Sequence, residues 1–169
     1  RTRQDRDELW EYVADGTLCA IASDHSPCTW EEKHTAILGQ PIQSVFDVWG
    51  GISGIQSGFQ AAFSEGCVKR GLNPAVLAAA MSERPARAFG LWGKKGALLP
   101  GFDADVVLVD PERQWTITAE SLCYVNKISA FVGMEGQGLP VTTLVRGQIV
   151  AANGRPTGQP GFGQLVKKQ

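Results

Sequence analysis

The sequence predicts an α/β fold in residues 1–98, followed by a region of β-strands in residues 99–169. Two observations support this prediction. A charged helical stretch at 3–14 leads through a short turn into the apolar run 18–22, which is the order of helix, turn and buried strand found in parallel sheets. In the second region, short alternating segments and turns replace the helical period. We therefore expect a domain boundary between the two regions.

The first region continues with a predicted long loop at 24–51, followed by helices. Ser53 and Gln56 have the spacing of a capping box, and Asn73 with Pro74 supplies an N-cap and a first-turn proline for the next helix. An apolar stripe at intervals of three to four residues predicts the buried face of the first of these helices: Ile52, Ile55, Phe59, Phe63 and Cys67.

The second region contains three candidate strand segments, at 104–109, 115–117 and 141–151. The last of these predicts two strands joined across Arg146 and Gly147, because a glycine there permits a tight reversal of the chain. No acid–base constellation accompanies these strands.

Composition excludes several classes of protein. The chain has 16 Lys and Arg against 17 Asp and Glu, a net charge of −1, whereas nucleic-acid binders need a basic surface to neutralise phosphates. The apolar runs are far shorter than the roughly 20 residues that span a bilayer, so no membrane partner is expected. Four cysteines without a C-x-x-C pair indicate neither a zinc ribbon nor a disulfide scaffold, and a reducing cytoplasm is the expected location.

Polar side chains follow directly after the apolar run: Asp24, His25 and Ser26. In barrels and open α/β sheets, ligands bind beyond the carboxyl ends of the strands, so a carboxylate there can bind a metal or accept a proton. The alternative interpretation is structural: Asp24 caps the loop and His25 satisfies a buried carbonyl.

A glycine pair, Gly50 and Gly51, precedes the predicted helix. Two glycines let the backbone approach a ligand closely, and the start of a helix offers free N–H groups. The same pair is equally expected in a tight entry turn with no ligand.

The chain contains four distinctive motifs: Ser-Asp-His-Ser-Pro-Cys at 23–28, Trp-Gly-Gly-Ile-Ser-Gly-Ile-Gln at 49–56, Arg-Pro-Ala-Arg-Ala-Phe-Gly-Leu at 84–91, and Lys-Gly-Ala-Leu-Leu-Pro-Gly-Phe-Asp-Ala-Asp-Val-Val at 95–107. Together they resemble the C-terminal part of the allantoinases, which are cyclic amidohydrolases related to the dihydroorotases and hydantoinases. The first two motifs are fairly specific for allantoinases, and the last is specific only to the superfamily.

The resemblance implies a fold and a site. Residues 1–98 would form the end of a (β/α)8 barrel, and residues 99–169 part of a small β-sandwich domain with a tail. Asp24 would bind a divalent metal and move a proton during catalysis, while Ser26, Gly50 and Gly51 would contact the substrate. The family's other metal ligands, including a His-x-His pair and a carboxylated lysine that together hold two zinc ions, would lie outside this chain.

The same resemblance implies a function. The complete enzyme would hydrolyse a small ureide ring, allantoin to allantoate, in purine catabolism, and would be a cytoplasmic homo-oligomer, a tetramer. A hydantoinase or dihydropyrimidinase activity and a catalytically silent scaffold homologue are the alternatives. We expect this chain to be a C-terminal fragment that alone is inactive and does not form a stable monomer.

Overall fold

Short helices pack against a four-stranded antiparallel sheet in the computed structural model, which describes residues 2–37 and 44–167. The helices are α1 (Arg3–Asp15), α2 (Trp30–Ile37), α3 (Gly58–Ala62), α4 (Pro74–Ala78) and α5 (Arg84–Ala88). Two π-helical segments, Phe63–Val68 and Ala79–Glu83, continue α3 and α4, and a 3-10 turn covers Val45–Asp47. The strands are β1 (Val106–Thr116), β2 (Glu135–Val145), β3 (Gln148–Ala152) and β4 (Arg155–Pro156).

Local signals explain where several helices begin. The Thr2 hydroxyl accepts from the Asp5 N–H, and the Asp5 carboxylate accepts from the Thr2 N–H, which is a capping box at the start of α1. Helix α4 begins as predicted, with the Asn73 side chain accepting a hydrogen bond from the Ala75 N–H and Pro74 in the first turn.

The sheet has the simple order β1-β2-β3-β4, in which every neighbouring pair is antiparallel. Strands β2 and β3 meet across Arg146 and Gly147, as predicted, and both residues have positive φ, 48° and 77°. Positive φ at both central positions is the type I′ geometry, which matches the twist of paired strands.

Two apolar cores hold the molecule together. Ala62, Phe63 and Leu77 form the core beneath the helices, and β1 contributes Val109 to it. Trp115, Ile117 and Leu122 form the second core, beside the sheet. The two layers also share polar contacts, because the buried Ser64 hydroxyl accepts a hydrogen bond of 3.1 Å from the Gln137 N–H of β2.

The apolar run 18–22 differs from its prediction as a buried strand. It joins no sheet within the described residues, and Leu18, Cys19 and Ala20 are exposed. Ile21 alone turns toward the helical core, and its N–H donates to the carbonyl of Ala80 at 3.0 Å. A strand needs a neighbour to satisfy its backbone groups, and the described residues supply none here.

Two further features bear on the predictions. No helix in the described ranges is both long and apolar enough to cross a membrane. The division of the chain into domains at 98/99 stays a prediction.

Candidate functional site

Two loops that carry the predicted site residues lie against each other. His25 and Ile52 form a parallel β-bridge, and the Ser26 N–H donates to the Ile52 carbonyl at 3.0 Å. This pairing brings Asp24 and Ser26 beside the segment that begins at Gly51. The structure therefore brings together residues that lie 25 or more positions apart in the sequence.

His25 ties these loops together through its ring. The Nδ1 atom accepts hydrogen bonds from the N–H groups of Gly54, at 3.1 Å, and Ile55, at 3.3 Å. In this arrangement Nδ1 is the hydrogen-bond acceptor of the ring. The structural interpretation expected His25 to satisfy a buried carbonyl, whereas its Nδ1 partners are backbone N–H groups.

Ser26 and Gly51 are in close contact, and this contact explains the glycine. A Cβ atom at Gly51 would stand 2.3 Å from Ser26 Oγ and 2.6 Å from the indole nitrogen of Trp49. Gly50 is different, because a Cβ atom there would meet nothing within 4 Å. The sequence grouped the two glycines, whereas the structure requires only Gly51 for packing.

Asp24 directly precedes His25 and Ser26 and has a left-handed backbone conformation. Its φ of 42° lies in the left-handed region, which non-glycine residues rarely adopt and which is often found at functional sites. The residue is exposed, and its carboxylate accepts no hydrogen bond from the rest of the described chain. A carboxylate in this position can bind a cation or accept a proton.

The donor set around Asp24 decides what metal site this chain can form. The described residues contain no group of three His, Cys, Asp or Glu side chains that could hold a metal ion. A structural or catalytic zinc ion takes three or four protein ligands, so Asp24 and its described neighbours do not form a complete zinc site by themselves.

Helix α2 lies inside the segment predicted as a long loop, and it contacts Trp49, the residue before the glycine pair. Thr29 and Glu32 form a reciprocal capping box at its first turn. The Trp49 N–H then donates to the Glu32 carbonyl at 3.0 Å, and the Lys33 ammonium donates to the Trp49 carbonyl at 2.5 Å. The Thr-x-x-Glu spacing was the sequence signal for this helix.

The predicted capping box at Ser53 and Gln56 is wrong. Helix α3 begins at Gly58, and residues 55–57 form a turn before it. The Gln56 amide instead contacts the segment between β1 and β2, where it donates to the Ser121 carbonyl at 2.9 Å. The stripe predicted for this helix is accordingly confirmed from Phe59 onward, while Ile52 and Ile55 before it are exposed.

Cavities elsewhere in the molecule do not include these loops. One of about 860 Å³ lies between α1 and α4, where Trp10 and Arg70 line it, and one of about 620 Å³ lies between the π-helical segment and the sheet. Neither is lined by Asp24, Ser26 or Gly51. The contacts between the two loops therefore define the candidate site.

Comparison with solved structures defines the class of fold. A D-hydantoinase (dihydropyrimidinase) from Thermus sp. superposes with a TM-score of 0.90 at 28% identity, covering 99% of this chain and 36% of that one. An L-hydantoinase (dihydropyrimidinase) from Arthrobacter aurescens gives a TM-score of 0.88 at 32% identity, covering 97% and 35%. The chain therefore has the fold of the corresponding part of a hydantoinase.

The chain belongs to the amidohydrolase family, whose model matches residues 1–150. An allantoinase of Rubrobacter xylanophilus is 40% identical over 169 residues, which are 100% of this chain and 35% of that protein. An allantoinase of Enterococcus faecalis is 38% identical over 144 residues, 85% of this chain and 30% of that protein. The chain thus spans about a third of the length of the curated relatives it matches. The family is generally metal-dependent.

Proposed function

We propose that this chain is part of a longer cyclic amidohydrolase that hydrolyses allantoin to allantoate. The observation that carries the proposal is the contact of Ser26 with Gly51, next to the bridge between His25 and Ile52, which joins the two motifs that resemble allantoinases. Identity of 40% to an allantoinase over the whole chain supports the choice of substrate.

Asp24 is the proposed catalytic residue and metal ligand. A divalent metal, by resemblance two zinc ions held with a carboxylated lysine outside this chain, would activate water and polarise the ring amide. Asp24 takes the proton of the attacking water and returns it to the ring nitrogen as the amide C–N bond breaks. Its exposed position in a left-handed backbone conformation supports this role.

Ser26, Gly50 and Gly51 are the proposed substrate-binding residues. The Ser26 hydroxyl offers a hydrogen bond to a ring amide, and the two glycines offer backbone groups that a side chain would otherwise cover. The open space beside Gly50 leaves room for a ligand at that residue.

Resemblance to the family is the support for the remaining parts of the proposal. The complete enzyme is a homo-oligomer, a tetramer, in the cytoplasm, and its partner is a small ureide. A hydantoinase or dihydropyrimidinase activity is the second candidate, which the TM-score of 0.90 to a D-hydantoinase favours.

Substrate profiling of the full-length protein tests the proposal. The protein is supplied with zinc and assayed on allantoin, hydantoin and a dihydropyrimidine, with kcat/KM measured for each. We expect the highest kcat/KM on allantoin. A preference for hydantoin or the dihydropyrimidine would establish the second candidate, and hydrolysis of none of the three would favour a scaffold homologue.

A further inference from the structure

The glycine loop, residues 51–57, runs from Gly51 to the start of α3, and side chains rather than regular secondary structure hold it in place. Three consecutive backbone N–H groups, those of Gly54, Ile55 and Gln56, donate to two side chains. The first two donate to His25 Nδ1, and the third donates to the Tyr124 hydroxyl at 2.8 Å. Because buried and half-buried backbone groups need partners, these two side chains determine the path of the loop.

The Gln56 side chain joins the same loop to the segment between β1 and β2. Its amide nitrogen donates to the Ser121 carbonyl at 2.9 Å, and its amide oxygen accepts from the Cys123 N–H at 2.7 Å. One amide therefore satisfies a backbone acceptor and a backbone donor two residues apart, which fixes both its position and its orientation.

Two further contacts complete the connection. The Ser129 hydroxyl donates to the Ser53 carbonyl at 2.7 Å, and the rings of His25 and Tyr124 lie 5.2 Å apart between centroids. The two ends of the segment 121–129, at Ser121 and Ser129, thus both contact the glycine loop. Tyr124, which lies between them, also contacts His25, the residue after Asp24.

We propose that Gln56 and Tyr124 are positioning residues for substrate binding. They hold the glycine loop at residue 56, five residues after the contact of Gly51 with Ser26, and would act on the substrate through the loop. The inference rests on the proposed function, because it assigns these two residues to the substrate-binding loop of that same site. It also gives the segment between β1 and β2, remote in sequence, a role in substrate affinity.

The geometry separates this role from a contribution to stability alone. Gln56 and Tyr124 are only half-buried, and although Tyr124 packs against the second core, neither is one of its fully buried residues. The hydrogen bonds of the Gln56 side chain join the loop to irregular backbone at Ser121 and Cys123, and the Tyr124 hydroxyl accepts from the loop at the Gln56 N–H. Loss of these bonds should therefore move the loop more than it unfolds the protein, and the substrate's KM should respond more than kcat.

Gln56→Met and Tyr124→Phe in the full-length protein test the proposal. Each removes hydrogen bonds with little change in volume, and Gln56→Glu keeps the acceptor for Cys123 but loses the donor to Ser121. Cys123→Ser and Cys123→Ala are the matched controls, because Gln56 contacts only the backbone N–H of that residue. We expect KM for allantoin to rise about 10-fold in Gln56→Met and Tyr124→Phe, less in Gln56→Glu, and not in the controls, with kcat within about threefold.

Two results would overturn the proposal: unchanged KM in Gln56→Met and Tyr124→Phe, or a lower melting temperature with unchanged kinetics. Hydrogen exchange of the peptide covering 51–57 gives a readout that needs no substrate. Faster exchange there in both variants, and not in the controls, supports the positioning role. If the unsubstituted protein hydrolyses no cyclic amide, that result rejects the proposed function but leaves the exchange result in force. Unchanged exchange rejects the positioning role.

Discussion

Gly51 lies so close to Ser26 that a Cβ atom on the glycine would stand 2.3 Å from the serine Oγ. This distance is shorter than any ordinary contact, so the pair excludes every larger residue at position 51 unless the serine moves. Of the two adjacent glycines in the sequence, packing therefore requires a glycine only at position 51.

Gly51→Ala and Gly50→Ala should therefore behave differently. In the full-length protein, Gly51→Ala must displace Ser26 or Trp49. We therefore expect this substitution to destabilise the fold by about 1–3 kcal/mol and to raise KM for allantoin. Gly50→Ala meets no atom, so its melting temperature should stay unchanged. Thermal denaturation with parallel kinetics checks the pair, and equal stability losses in the two variants would contradict it.

Asp24→Asn tests the catalytic assignment without altering the backbone. Asparagine tolerates the left-handed conformation that Asp24 adopts, so the variant should fold normally. It cannot accept a proton, and it binds a cation more weakly, so we expect kcat to fall by at least about 100-fold. Asp47→Asn, at another exposed aspartate, is the control. Turnover near that of the unsubstituted protein in Asp24→Asn would reject the assignment.

The Glu65 carboxylate should contribute to stability in a pH-dependent way. Hydrogen bonds from Lys69, at 2.5 Å, and from Arg70, at 2.9 Å, hold its pKa below the ordinary 4.5. A lowered pKa in the folded state stabilises the protein above the unfolded value, and this contribution is lost as the pH falls through the lowered pKa.

Glu65→Gln should thus lower stability at pH 7, by about 1 kcal/mol, and should lose this effect in acid. Denaturant unfolding of both proteins from pH 7 to pH 3 measures the difference. Glu11→Gln removes the same charge from an exposed site on α1 and is the control. If the free energy of unfolding of Glu65→Gln differs from that of the unsubstituted protein by the same amount at every pH in this range, the ion pairs of Glu65 are not the cause of the difference.

The isolated chain 1–169 should associate in solution. Phe46 is 94% exposed, Leu98 69% and Ile55 64%, and the run 18–22 joins no sheet within the described residues. Large apolar side chains left in water each forgo about 1.5–3 kcal/mol of burial. Light scattering with calorimetry checks this, and a monomer with a sharp transition that also hydrolyses allantoin would contradict the expectation.

Features fixed by neighbouring residues could be predicted from the sequence. The hairpin at Arg146 and Gly147 and the start of α4 at Asn73 depend on a few adjacent residues, whose backbone preferences act wherever the segment lies. The closeness of Ser26 and Gly51 was reachable through the motif resemblance, which assigned both residues to one site.

Features that depend on distant partners could not be predicted. Gln56 has the spacing of a capping residue, but its amide bonds to Ser121 and Cys123, more than 60 residues away, and no local pattern indicates those partners. The run 18–22 has the composition of a buried strand, but a ladder requires a neighbour that its own composition cannot supply. Tyr124 was missed because a single tyrosine in an irregular segment carries no sequence signal.

The contact between Phe63 and Gly138 has a consequence for how the chain responds to cleavage. A Cβ atom at Gly138 would stand 2.2 Å from the Phe63 ring, so the π-helical segment and β2 pack closely against each other. Between them in the chain lies a segment in which Leu98 and Leu99 are exposed. A protease that cuts this exposed segment in the full-length protein would leave two polypeptides that remain associated. The cleaved protein would run as two bands under denaturing conditions and as one species under native ones, and the two halves expressed together could reconstitute it.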